Sequence, residues 1–256
     1  MNTPPEKPRI VELRPSIFQL NFGWPSSHVY LVKGRAKNVL IDTGTAANFP
    51  RLALSLAELD LGPRDIHLVV LTHEHSDHIG ACAYLFGNSV IAAHPLAANK
   101  IELQDEFVTM RPYLDADARP FQADLWLEAG TSIELGNYRL RVLHTPGHCS
   151  GCVCLHEPEQ GLLFTGDTVF VGGALSGIFV SGSISDYVHS LQALSSLRLE
   201  EFYPGHGPIS KTPREDILKA VNDSRALLED SKILFGALDT KRAFDRILTG
   251  VRRTKK

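Results

Sequence analysis

Three observations in this 256-residue sequence predict an α/β layered architecture. Short apolar runs recur, each stopped by Gly, Asp, His or Pro. Amphipathic helical patterns lie between them. The length, with 43 % apolar and 21 % charged residues, is enough for one large domain with its own packed core. The runs, in order, are Asn38–Asp42 (NVLID), Ile66–Leu71 (IHLVVL), Tyr138–Leu143 (YRLRVL), Gly161–Thr165 (GLLFT) and Glu201–Tyr203. Brief segments rich in Val, Ile, Leu and Phe, bounded by turn formers, read as buried strands. Between them, Leu52, Leu56 and Leu59 form one helical stripe over 51–61. Val188, Leu191, Leu194 and Leu197 form another over 185–198, behind a Ser185 cap.

Thr212-Pro213-Arg214-Glu215 is a capping box with proline at the first helical position, so a long helix is expected there, its apolar stripe running to Leu234 and its end at Gly236. A short helix over 240–249, through Phe244, Ile247 and Leu248, is expected to follow. No linker-like stretch intervenes, so the chain, 1–256, reads as a single domain with a core at about 10–210 and a helical C-terminal appendage at about 212–250. VLIDTG (39–44) and LLFTGD (162–167) echo each other weakly, compatible with two similar halves without establishing a repeat. Residues 100–130 lack clear periodicity and read as an insertion holding Phe107, Met110, Tyr113, Phe121 and Trp126; with 174–186 they are expected to shape a pocket.

Composition excludes several functions. Lys and Arg total 26 against 29 Asp and Glu, a net charge of −3, which argues against neutralising a phosphate backbone. The basic cluster Arg252, Arg253, Lys255 and Lys256 reads as a solvated tail. The start, MNTPPEKPRI, has no apolar signal-peptide core, and no segment approaches a membrane span, so a soluble, cytoplasmic protein is expected. Four cysteines, three of them crowded at Cys149, Cys152 and Cys154, do not form a spaced disulfide framework; reduced thiols are expected. A zinc knuckle would need a fourth thiol at regular spacing, and only Cys82 remains, so the cluster reads as structural. The chain has no GxSxG, P-loop or GxGxxG motif. Histidine, at 11 residues and several beside Asp and Gly, is the informative number.

The decisive segment is Thr72-His73-Glu74-His75-Ser76-Asp77-His78, between the IHLVVL strand and a helical stretch opening at Ile79. His-Glu-x-x-His on a helix is excluded, because Asp77 stands four after His73. Further polar signatures follow other strands: His144-Thr145-Pro146-Gly147-His148, Gly166-Asp167 and Pro204-Gly205-His206-Gly207. Carboxyl ends of strands gather at one edge of an open α/β sheet, so these loops can converge, and the glycines let the backbone turn sharply and approach closely. Seven candidate ligands result: His73, His75, Asp77, His78, His148, Asp167 and His206. They are too many for one tetrahedral ion and suit two that share a bridging carboxylate. Asp42 and Thr72 could orient ligands by hydrogen bonds, although Asp42 is equally a turn former closing its strand.

THxHxDH, HTPGH, the post-strand GD and PGHG appear in the order that characterises the metallo-β-lactamase superfamily, and over 38–209 the chain resembles its glyoxalase II-like branch, GDTVFVGG (166–173) included. The resemblance implies a four-layer αββα sandwich, with the C-terminal helices added to it. It implies that His73, His75 and His148 hold a first metal, Asp77, His78 and His206 a second, and that Asp167 bridges them. It also places Asp77 as the catalytic residue that orients a bridging hydroxide and shuttles its proton to the leaving group. His144, His28, His67, His94, His156 and His189 then read as structural, His28 and His94 adjoining rim loops. Phe22, Trp24, Ile178 and Phe179 read equally as pocket lining or core.

An N/O donor set suits two Zn2+ ions, and imidazole and carboxylate also accept iron or manganese. Paired ions can lower the pKa of a shared water from about 15.7 to near 7, so no Ser or Cys nucleophile is required. The expected function is a dinuclear metal-dependent hydrolase using a metal-bridging hydroxide on a small thioester, ester or lactone, a hydroxyacylglutathione hydrolase-like thioesterase first and a lactonase second. A rival from another class is a persulfide dioxygenase-like oxidoreductase with one iron on His73, His148 and Asp167, against which stands the complete second set. A phosphodiesterase is disfavoured by the acidic balance, and a binding protein with a lost site by the absence of any missing ligand position. The expected partner is a small-molecule substrate, with neither nucleic acid nor membrane; a homodimer is left open.

Overall fold

The computed structural model describes residues 9–237. The first half of the chain forms β1 (Arg9–Arg14), β2 (Ile17–Asn21), β3 (Val29–Lys33), β4 (Asn38–Ile41), α1 (Phe49–Glu58), β5 (Leu68–Val70) and α2 (Ser76–Ile79). It continues through β6 (Val90–Ala93), α3 (Pro95–Glu102), α4 (Glu106–Thr109), α5 (Arg111–Leu114) and β7 (Leu125–Trp126). The second half forms β8 (Ser132–Glu134), β9 (Arg139–His144), β10 (Val153–Glu157), β11 (Leu162–Gly166), α6 (Ile184–Ser195), β12 (Glu201–Pro204) and α7 (Pro213–Ala237).

The strands make two mixed sheets, one ordered β1-β2-β3-β4-β5-β6-β7 and the other β12-β11-β10-β9-β8. Pairing is antiparallel from β1 to β4 and parallel from β4 to β7; in the second sheet only β11 and β12 are parallel. Side chains alternate across a strand, and here both faces are covered, which explains the unbroken apolar runs. Val39 and Ile41 of β4, Leu68 and Val70 of β5, and Leu162 and Phe164 of β11 point into a core between the sheets. Leu40 and Val69 instead face outward, where Leu52 and Leu56 of α1 and Ala97 and Ile101 of α3 cover them. On the second sheet Cys154, Leu163 and Phe202 face Tyr187, Leu191 and Leu194 of α6 and Ile217, Ala220 and Val221 of α7. Helix, sheet, sheet, helix is the four-layer αββα sandwich that the sequence resemblance implies.

Several local expectations shift. The helix at 185–198 begins earlier, capped by Ser183, whose hydroxyl accepts from the Asp186 amide, since Ser183 has the extended backbone a cap requires. The helix after the signature opens at Ser76 and not at Ile79, so Asp77 and His78 stand on a helical turn. Thr212 does not close a reciprocal capping box: its amide bonds the Ser210 hydroxyl. Gly236 lies within α7, which continues to Ala237. The expected C-terminal helix is α7, whose Ile217, Ala220 and Val221 pack into the outer layer; the expected helix at 240–249 and the basic tail lie outside the described residues. Residues 100–130 fold as the end of α3, α4, α5 and the two-residue β7, and Ile101, Thr109 and Phe121 line a small cavity behind Ser76 and Ile79. Among the described residues no helix is long and apolar enough to cross a membrane.

Candidate metal centre

The polar signatures all emerge at one edge shared by both sheets. The His73–His78 segment follows β5, His148 lies four residues after the end of β9, Asp167 immediately follows β11, and His206 follows β12. Backbone hydrogen bonds tie these loops together, two of them across the halves of the chain, Val153 N to Thr72 O (2.8 Å) and His28 N to Gly205 O (2.7 Å), and one within the first half, Ser27 N to Asp77 O (3.0 Å). Glycine is required at 205 because of this crowding, since a Cβ there would lie 2.6 Å from His78 Cε1 and closer still to Asp167 Oδ1. At Gly166 the backbone is left-handed (φ 48°) and a Cβ would meet the Thr72 side chain.

The structure brings all seven predicted side chains together. Three sets each place their donor atoms within 4.8 Å of one another: His73, His75 and His148; His73, His78 and Asp167; and Asp77, His78 and His206. His73 and His78 each belong to two sets, so the clusters form one continuous centre. Individual spacings are 3.1 Å for His75 Nδ1 to His148 Nε2, 3.3 Å for His78 Nε2 to Asp167 Oδ1, and 3.0 Å for His206 Nε2 to Asp77 Oδ2. His73 Nε2, His78 Nε2, Asp77 Oδ1 and Asp167 Oδ1 are buried and have no hydrogen-bond partner. Buried polar atoms cost free energy unless satisfied, and four of them spread over overlapping donor sets fit cations that would take their lone pairs.

The opposite edge of each ring is held. The Asp42 carboxylate accepts from His78 Nδ1–H (2.8 Å), from the Thr72 hydroxyl (2.8 Å) and from the Thr72 amide (2.8 Å). Thr72 Oγ1 in turn lies 3.1 Å from His73 Nδ1, and Gly177 O accepts from His148 Nδ1–H at 2.6 Å. These bonds select the tautomers that leave Nε2 of His73, His78 and His148 free as a lone pair. Asp42 therefore orients candidate ligands in addition to closing its strand.

The electrostatics keep the donors competent. Burial, and then neighbouring rings, push the His73 imidazole well below its ordinary pKa and His75 down to about 3, so both are neutral at pH 7. Burial alone would raise the Asp77 and Asp167 carboxyls, but the His78 charge and the hydrogen bonds around them outweigh it and hold both below the usual range. His78 is the counterpart: burial disfavours its charge, yet Asp167, Asp42 and Asp77 raise its pKa well above normal. Without a cation, the His78 proton offsets the three carboxylates gathered out of water; a cation at the centre would displace that proton from Nε2 and take over its role.

Other residues settle readings left open by the sequence, and two depart from it. Phe22 belongs to the core, whereas Trp24, 81 % exposed, leans on His206 at 5.8 Å, and Phe179 packs against His75 (4.6 Å) and His148 (5.0 Å). His144 is structural, stacked on His94 at 3.9 Å and bonded to Ser150 O. His28 is not merely structural: its Nε2 holds Gly207 O at 2.8 Å, beside His206, and its Nδ1 is buried without a partner. No pattern around His28 signals that role, because the contact joins residues 179 positions apart. Cys149 also reaches the centre, its Sγ 3.2 Å from His75 Nε2. Its place directly after His148 is the signal that sequence reading could have used.

Fold and site together define a class: an αββα protein whose strand-end loops gather overlapping His/Asp sets at the common edge of two sheets. The family model of the metallo-beta-lactamase superfamily matches residues 22–206, and the chain belongs to that superfamily. It is 35 % identical over 201 residues to the acyl-coenzyme A thioesterase MBLAC2 of Gallus gallus, covering 70 % of this chain and 72 % of that protein. It is 33 % identical over 158 residues to a hydroxyacylglutathione hydrolase of Maricaulis maris, covering 61 % of this chain and 54 % of that one. Among solved structures, TTHA1623 in a di-iron-bound form is similar at a TM-score of 0.65 and 29 % identity, covering 77 % of this chain and 96 % of that one.

Proposed function

We propose that the protein is a dinuclear metal-dependent hydrolase that cleaves a small thioester. The observation that carries this reading is the set of unpartnered, buried donor atoms on His73, His78, Asp77 and Asp167 within one continuous seven-residue cluster. His73, His75 and His148 would hold one ion, Asp77, His78 and His206 a second, and Asp167 would bridge. Two divalent ions there would supply a water activated at neutral pH and would polarise a carbonyl. The donor set suits zinc, and the di-iron form of a neighbour keeps iron within the reading.

The chain's own residues supply the rest. Asp77 would give one carboxylate oxygen to an ion, and its other oxygen would take a proton from the attacking water and return it to the leaving thiolate. His28 holds the loop that carries His206 through Gly207 O. Trp24 and Phe179 flank the centre with apolar surface that excludes water from one side of a bound acyl group. The acyl-coenzyme A thioesterase and hydroxyacylglutathione hydrolase relatives favour a thioester over a lactone or phosphodiester. We read the chain as one domain acting on a small molecule, and its four free, buried cysteines fit a reducing compartment such as the cytoplasm.

The test pairs elemental analysis with thiol release from a panel of acyl-coenzyme A and acyl-glutathione thioesters, with lactones and phosphodiesters alongside. Two ions per chain and thioester turnover, both lost in Asp167→Ala, are expected. A single iron with oxygen uptake on a persulfide, or full thioester turnover by a metal-free Asp167→Ala protein, overturns the proposal.

A further inference from the structure

His75 differs from the other histidines of the first set in the nitrogen it presents. His73 and His148 are held through Nδ1 and direct Nε2 into the centre, whereas His75 directs Nδ1 there, 3.1 Å from His148 Nε2. Its far nitrogen, Nε2, is buried, and the atom that meets it is Cys149 Sγ at 3.2 Å. The backbone that carries the thiol is anchored, because the Cys149 amide donates to Cys152 Sγ at 3.3 Å. Packing already sets the ring's position, with Phe179 edge-on at 4.6 Å and His148 at 4.7 Å. What packing cannot set is which nitrogen carries the proton.

We infer that Cys149 is a positioning residue that makes His75 a ligand through Nδ1, by accepting the Nε2–H with its sulfur. A thiol suits this place because it can do either half of a hydrogen bond. Without a cation, His75 Nδ1–H can donate to His148 Nε2 while the Cys149 S–H donates to His75 Nε2. With a cation, the ring proton moves to Nε2 and the sulfur accepts it, so the ring changes tautomer without stranding a buried polar atom. The Gly177 carbonyl beneath His148 can only accept, and it permits one tautomer alone. The inference rests on the metal centre proposed above.

The experiment compares the full-length wild type with Cys149→Val, which keeps the volume and removes the hydrogen bond, and Cys149→Ser, which keeps both halves of it. Zinc affinity is read by competition with a chromophoric chelator, His75 tautomer in the zinc-loaded protein by long-range 1H–15N NMR, and stability of the chelator-treated protein by urea. Affinity for the tighter ion is expected to fall about tenfold in Cys149→Val, at the lower end of the 10–100-fold typical of groups behind a ligand. Cys149→Ser is expected to stay within about threefold of wild type, with His75 protonated on Nε2. Urea midpoints should not follow that order. Undiminished affinity in Cys149→Val, or equal loss in both variants, overturns this inference alone. A wild-type chain that takes up no zinc overturns the metal centre and this inference together.

Discussion

Asp42 concentrates more of the site's organisation than any candidate ligand. Its left-handed backbone (φ 59°), tolerable for Asp, turns one carboxylate toward three donors: the Thr72 amide, the Thr72 hydroxyl and His78 Nδ1–H. Asp42→Ala strands all three in a dry setting at about 1–3 kcal/mol each, so urea unfolding in chelator should show a loss of at least about 3 kcal/mol. Asp42→Asn keeps one acceptor oxygen and should lose roughly half as much; an Ala variant within about 1 kcal/mol of wild type would refute this role. The seven candidate ligands were legible because each belongs to a short motif placed directly after an apolar run. Asp42 was half legible, since a strand-closing Asp is ordinary. His28 was not, because its role exists only once loops far apart in sequence meet, as at His28 to Gly207, and Cys149 offered only its place directly after His148.

Elements follow the same logic on a larger scale. β4, β5, β9, β11 and β12 announce themselves as apolar runs, whereas β10 hides because it carries His156 and Glu157, polar residues buried at its end. The one-turn α4 and α5 leave too short a period to read. α7 was legible as a helix but not as part of the site's support. Its Asp216 accepts from the Gly172 amide (2.9 Å) and the Ser210 hydroxyl (2.6 Å), clamping the segment that leads to Gly177 and Phe179. Asp216→Ala should cost about 2 kcal/mol and speed proteolysis between 170 and 182, read by limited digestion; an unchanged cleavage rate would deny the clamp.

Between sheets, the buried Glu201 of β12 accepts from Arg14 of β1 and from Lys211, each at 2.6 Å, and from the Tyr203 hydroxyl at 2.8 Å. Burial would raise its pKa, but these hydrogen bonds and charges prevail and lower it. A carboxyl lowered on folding stabilises above its unfolded value, about 4.3, and that contribution fades as pH falls through the lower folded value. The stability gap between wild type and Glu201→Gln should therefore be full at pH 7 and shrink below about pH 4, followed by urea midpoints; a gap that widens on acidification would reverse the assignment.

At the scale of the molecule, the centre joins what the layers divide. His73, His75, Asp77 and His78 come from the half that builds the first sheet, and His148, Asp167 and His206 from the half that builds the second. The sheets already share a continuous apolar core, so the chain should fold without a cation. It should do so under strain, because the ligand edge gathers carboxylates, an imidazolium and unpartnered donor atoms away from water. Ions that bind only the folded arrangement add RT ln(1 + [L]/Kd), about 4 kcal/mol at a thousandfold excess over Kd. For a domain of this size, that corresponds to a fall in Tm of roughly 10 °C on chelation, measured by differential scanning calorimetry. Asp167→Ala should start near the chelated value and respond little to added zinc, because the residue proposed to bridge the two ions is gone. Hydrogen exchange should quicken on chelation in the loops after β5, β9, β11 and β12 while the inter-sheet strands hold their protection. Equal exchange at all of these sites, with an unmoved Tm, would mean that the two halves are held by their core alone.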